Sequence, residues 1–191
     1  MDQEVIRTQA LEIVDSAGRL RGSLGINVDD GVSLSLLDQH GRAAIVLCTD
    51  PEGFPKFILS DPNDMPRLAA IVTSDGPRVS LFAEDRDAAA LQLWTLPDGS
   101  SSVFILGDGD GQDVSVSCGP DGSASISMGT RSAQSVGISA DREGLPALFL
   151  YDKEGEARVC VNVTKEGVPV VGWWDRDGEL HTIDPDALQS G

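Results

Sequence analysis

A glycine returns every 22 or 23 residues through this chain, at Gly31, Gly53, Gly76, Gly99, Gly122, Gly144 and Gly167. A fixed period of that length marks one supersecondary unit copied in tandem, and it limits the available folds more than any local motif does. Each glycine closes a turn-like string, among them Val28-Asp29-Asp30-Gly31, Asp50-Pro51-Glu52-Gly53, Leu96-Pro97-Asp98-Gly99 and Thr164-Lys165-Glu166-Gly167. Asp and Pro favour the early turn positions, and Gly accepts the positive φ of the last one. Half a period away runs a second series of the form Asp-x-x-Gly: Asp15 to Gly18, Asp38 to Gly41, Asp108 to Gly111, Asp152 to Gly155 and Asp175 to Gly178. This series is degraded where Asp61 is followed by Asp64, and where Ala83 and Thr130 take the Asp position.

Between the turns the chain alternates. The residue two before each Asp position is Ile13, Leu36, Leu59, Leu81, Leu106, Met128, Leu150 or Trp173, and four before stand Leu11, Leu34, Phe57, Val79, Phe104, Ile126, Leu148 and Val171. Every one is apolar, and a spacing of two puts each pair on one face of a strand. The returning strands carry apolar residues too, such as Ile45 and Leu47 or Val159 and Val161, but their phase drifts from repeat to repeat. No stretch keeps helical spacing between its Gly and Pro punctuation. The pattern predicts an all-β chain of eight β-hairpin repeats, over 8–30, 31–53, 54–76, 77–99, 100–122, 123–144, 145–167 and 168–183. They form a single repeat domain, 1–183, followed by a tail, 184–191.

The strings Leu-Glu-Ile-Val-Asp-Ser-Ala-Gly-Arg-Leu-Arg at 11–21, Leu-Ser-Leu-Leu-Asp-Gln-His-Gly-Arg at 34–42 and Leu-Phe-Leu-Tyr-Asp-Lys-Glu-Gly-Glu-Ala-Arg at 148–158 approximate a Leu-x-Leu-x-Asp-x-x-Gly-x-x-Arg unit, with Ile13 for the second Leu and with Arg42 directly after Gly41. On these residues the chain resembles uncharacterised bacterial tandem β-hairpin repeat proteins. The fourth and sixth repeats depart from the unit, lacking both the Asp and its Gly. The resemblance implies an architecture and no activity.

Sixteen strands of about six residues, set about 4.8 Å apart, would make a ribbon roughly 75 Å long with one apolar side to cover. A hollow barrel would need a polar lining or a lipid-facing band that the short strands and nine aromatic residues do not provide. Two covered forms are compatible with the repeat. Pairs of repeats would give four-stranded blades and a small closed propeller, although no 46-residue alternation stands out. Alternatively, the sheet array buries its apolar face against identical copies in a cyclic homo-oligomer, a trimeric prism being the favoured expectation.

Composition narrows the partners. The 191 residues carry 31 Asp and Glu against 14 Lys and Arg, a net charge of −17. Such a chain repels phosphate backbones and anionic lipid headgroups, so neither nucleic acid nor a membrane surface is expected as a partner. A compact monomer of 20.1 kDa would bury roughly 70% of its unfolded surface. Cys48, Cys118 and Cys160 fit neither a disulfide framework nor a zinc spacing. The first residues lack the pattern of a secretory signal, and no 18-residue apolar run occurs, so the expected location is the cytoplasm or a particle assembled there.

Candidate sites are few. Asp108, Asp110 and Asp113 cluster carboxylates on a Gly-rich turn, the donor type calcium takes, but without the spacing of an EF-hand or its closing Glu. An acidic hairpin turn is the favoured reading of them. Arg21, Arg67 and Arg158, with His181 in the equivalent place, stand six residues after an Asp position and read as solvated charges near turn aspartates. Adjacent Trp173 and Trp174 must point to opposite faces of their strand. Trp173 falls in the apolar phase and is expected in the core, which leaves Trp174 as the first candidate for a partner or ligand contact and Trp94 as a second. No Gly-x-Ser-x-Gly, phosphate-binding loop or His-Glu-x-x-His occurs, and neither His40 nor His181 has a local nucleophile partner. The sequence therefore favours a non-catalytic structural or display scaffold that associates with itself. The competing class is a glycan-binding, lectin-like propeller or prism, with calcium as a candidate ion.

Overall fold

The structure, a computed structural model, describes residues 7–27, 30–84, 89–107, 113–130 and 133–183. It is all-β: sixteen antiparallel strands follow one another in sheet order as they do in sequence, in one open sheet. Among the described residues there is no helix, hence none long and apolar enough to cross a membrane. The chain divides into two compact units, 1–89 and 90–191. The first holds β1 (Ala10–Val14), β2 (Leu20–Ile26), β3 (Val32–Leu37), β4 (Ala43–Thr49), β5 (Pro55–Ser60), β6 (Pro66–Thr73) and β7 (Gly76–Phe82). From Ala90 the second holds β8 (Ala89–Thr95), β9 (Ser101–Ile105), β10 (Asp113–Cys118), β11 (Ala124–Gly129) and β12 (Gln134–Ala140), then β13 (Pro146–Tyr151), β14 (Ala157–Val163), β15 (Pro169–Trp174) and β16 (Leu180–Ile183). β4 pairs with β5 and β12 with β13, so the ladder continues through positions where separate four-stranded blades would part.

The turns are built by the residues the repeat advertises. At Asp38 the backbone N–H receives no ladder partner of its own strand but donates to the Arg42 carbonyl at 2.8 Å, and Gly41 N–H donates back to the Asp38 carbonyl at 3.1 Å. The same two bonds recur at Asp15, Asp50, Asp61, Leu96, Gly119, Asp141, Asp152, Thr164 and Asp175. This is a type I turn closed by a residue of positive φ, the geometry that lets a short loop follow strand twist. Gly41 sits there at φ 83°, with open space where a Cβ would be.

At two of the described turns a residue other than glycine holds the left-handed position. Asp64 holds the left-handed position at φ 63°, so the degraded Asp61–Asp64 string makes the same turn without glycine. In the Gly31 turn it is Asp30, at φ 61°, whose N–H donates to the Asn27 carbonyl, so the left-handed residue precedes the periodic glycine by one. Asp, with a short side chain able to bond its own backbone, is among the few residues tolerated there.

One expected register is corrected. Val103 and Ile105 pair across to Val116 and Val114, whereas Phe104 and Leu106 fall in the opposite phase, Phe104 opposite Ser115. The Asp108-to-Gly111 string imitates the repeat one residue out of step. Pairing of Ile105 with Val114 spans the same length as that of Ile13 with Gly22, which makes Gly107 the counterpart of Asp15.

The single chain by itself encloses few side chains. Ala89, Cys160 and Ser80 are the buried non-glycine residues among those described, and no large side chain is fully enclosed. Among the described residues each unit is a single layer of sheet.

Candidate functional site

Strand pairing assembles the alternating residues into continuous rows. In the first unit one row runs Leu11, Leu24, Leu34, Leu47, Phe57, Ala70, Val79 from strand to strand. A second runs beside it through Ile13, Gly22, Leu36, Ile45, Leu59, Leu68 and Leu81. In the second unit the rows are Leu93, Val103, Val116, Ile126, Ile138, Leu148, Val161, Val171, Ile183 and Leu91, Ile105, Val114, Met128, Val136, Leu150, Val159, Trp173, His181. His181 is the one titratable residue in them. The opposite face carries smaller and more polar groups, among them Ser23, Ser35, Ser102, Ser115, Ser117, Ser125, Ser127 and Ser139. Some of these hydroxyls bond across strands, Ser115 with Ser127 at 2.7 Å and Ser102 with Ser117 at 3.0 Å.

The apolar rows are open to solvent. Leu11 is 53% exposed, Leu47 49% and Ile105 53%. Contiguous apolar surface on a soluble protein rarely exceeds a few hundred Å² unless something binds it. Rows of this extent are the most prominent surface feature among the described residues.

Charge is gathered at the turns, where it builds local structure. Oδ1 of Asp38 accepts the N–H groups of His40 and Arg42, at 2.7 and 3.0 Å, while Oδ2 takes the Arg42 guanidinium at 2.8 Å. Asp61 accepts from Asn63 and Met65 N–H groups and pairs with Arg67; Asp152 accepts from Glu154 and Glu156 and pairs with Arg158. Satisfying otherwise unpaired donors with a carboxylate favours its charged form. The Arg42 N–H, with that residue's guanidinium and the His40 N–H, outweighs partial desolvation and holds the Asp38 carboxyl at about 2. The Arg158 side chain does most to lower Asp152, and His181 does so for Asp175.

The arginines reach their partners through bulges. Ile13 pairs with Gly22 but Val14 with Leu20, leaving Arg21 as the extra residue; the same shift isolates Arg67 and Arg158. A bulge re-aims one side chain, and here it turns the guanidinium toward the turn carboxylate. The arginines expected as loosely solvated charges are thus fixed parts of the turns, with Arg67 and Arg158 hydrogen-bonded to their aspartates.

Asp108 and Asp110 lie outside the described residues. Asp113 opens β10, where its Oδ1 accepts the Gly107 N–H at 2.6 Å. Trp94 is half-buried on the serine-bearing face opposite Ser102, and Trp174 is half-buried opposite Leu180. Trp173, expected in the core, is 41% exposed on the apolar face and stacks on His181 with ring centroids 5.5 Å apart.

Sequence reading missed one grouping, Asp175, Glu179 and His181, whose potential ligand atoms lie within 4.8 Å of one another. His181 Nε2 meets Asp175 Oδ2 at 2.8 Å, and Asp175 Oδ1 accepts from Asp177 and Glu179 N–H groups. The histidine thus takes the role that arginine has in the other turns, which accounts for the cluster without a ligand. An open depression of about 310 Å³ in the second unit is lined by Phe104, Ser115, Ser127 and Gln134, with Asp113 on its rim.

The fold and this surface define a tandem-hairpin β-sheet protein with one uncovered apolar face. No protein-family model matches the chain, and no curated protein does either.

Proposed function

We propose that this chain is a non-catalytic structural scaffold that self-associates by burying its apolar sheet face against copies of itself, three copies forming a prism. The observation that carries this reading is the pair of uncharged, solvent-open rows in each unit of a chain whose net charge is −17.

Strand length supports the number of copies. A strand of six residues is about 20 Å long, and three such sheets around an axis put each about 6 Å from the centre, close to half the ~10 Å spacing of stacked sheets. Four would leave a hole that these side chains do not fill. A hydrophobic core shared among copies also supplies what each single-layer unit lacks.

Sedimentation equilibrium at micromolar concentration tests the proposal. The expected species is three times 20.1 kDa, about 60 kDa; a 20.1 kDa monomer over the whole concentration range would overturn it.

A further inference from the structure

Resting on that reading, we infer that assembly of this chain is gated by ionic strength, because the apolar faces that attract one another are bordered on both sides by turns whose acids together outnumber their cations. The two observations are separate. The rows contain no carboxylate, lysine or arginine. The turns at the ends of the strands carry exposed acids, such as Glu52, Asp75 and Asp98 on one border and Glu84, Glu156 and Asp177 on the other. When two apolar faces approach to the ~10 Å of stacked sheets, these borders come within a similar distance of the neighbouring copy's.

Screening decides the balance at that separation. The Debye length is about 30 Å at 0.01 M salt, about 10 Å at 0.1 M and about 3 Å at 1 M. Border repulsion therefore acts almost in full at the lowest value and is nearly gone at the highest, while burial of the rows does not depend on unit-charge screening. Asp38 and Asp152 keep their charge into acid through their N–H and cation partners, so neutral-range changes in pH leave these two charged. Salt is the lever.

Sedimentation velocity of the full chain in sodium chloride from 0.01 to 0.5 M is the experiment. The association constant is expected to rise at least about a hundredfold over that range. The fivefold variant Glu52→Gln, Asp75→Asn, Glu84→Gln, Glu156→Gln, Asp177→Asn removes five negative charges and is expected to assemble already at 0.01 M with a flattened salt response. Assembly that is equally tight at all salt concentrations overturns the gate and leaves the scaffold standing. The same holds for a variant that keeps the parent's salt slope. A chain that is monomeric at every salt concentration overturns the scaffold itself, and the gate with it.

Discussion

Leu47→Lys separates the scaffold from a chain that works alone. Leu47 lies in the middle of β4, between Leu34 and Phe57 on the adjacent strands, and is 49% exposed. Complete burial of a leucine is worth about 1.5–3 kcal/mol, so covering its open half contributes about 1 kcal/mol per copy. A lysine there loses that contribution and brings an unpaired ammonium into the apolar contact, at a cost of several kcal/mol. Together these weaken association by about 4 kcal/mol or more per copy, roughly a thousandfold. In the isolated sheet the same lysine keeps its stem on the row and its charge in water, so the fold itself should change by no more than about 1 kcal/mol. Far-ultraviolet circular dichroism should stay β-rich while sedimentation shifts to the monomer. Ser125→Lys, on the opposite face and exposed, is the control and should leave the mass unchanged. An unchanged mass for Leu47→Lys, or equal disruption by Ser125→Lys, would refute the argument.

The turns yield three more expectations. Asp38→Ala removes an acceptor for two N–H groups and the partner of Arg42, and should lower Tm by about 2–6 °C, with Asp38→Asn lowering it less because an oxygen remains; thermal melts followed by circular dichroism rank the pair. Because the folded Asp38 carboxyl titrates at about 2, below its ordinary 3.8, its stabilising effect is complete above about pH 4. It is lost as pH falls toward 2, so urea midpoints should decline through that window, and a flat acid limb there would contradict the assigned hydrogen bonds. Gly41→Ala meets no atom and costs only the left-handed backbone, about 1–2 kcal/mol, whereas Asp64→Gly relieves the same conformation at φ 63° and should stabilise by up to about 1 kcal/mol; urea titrations of opposite sign are the signature.

The sequence by itself determined the strands and turns, because both are local. An Asp at the first turn position recruits N–H groups two and four residues on, and an alternating strand needs no distant partner to define its two faces. Hence Leu34 with Leu36, or Leu148 with Leu150, could be assigned to one face from spacing alone. Three things depended on pairing. The phase drift of the returning strands is a bulge, visible only when Arg21, Arg67 and Arg158 are seen to lack a residue opposite. The slip at Phe104 is fixed by the ladder from Ile105 to Val114, which overrides the misleading Asp108 string. The environment of the rows was the least legible. Alternation states which side is apolar and says nothing of what lies against it, so Trp173 and Leu34 read as core although both are exposed in the single chain. Burial is set by what packs on a face, and in this molecule the sheet supplies the face without supplying its cover.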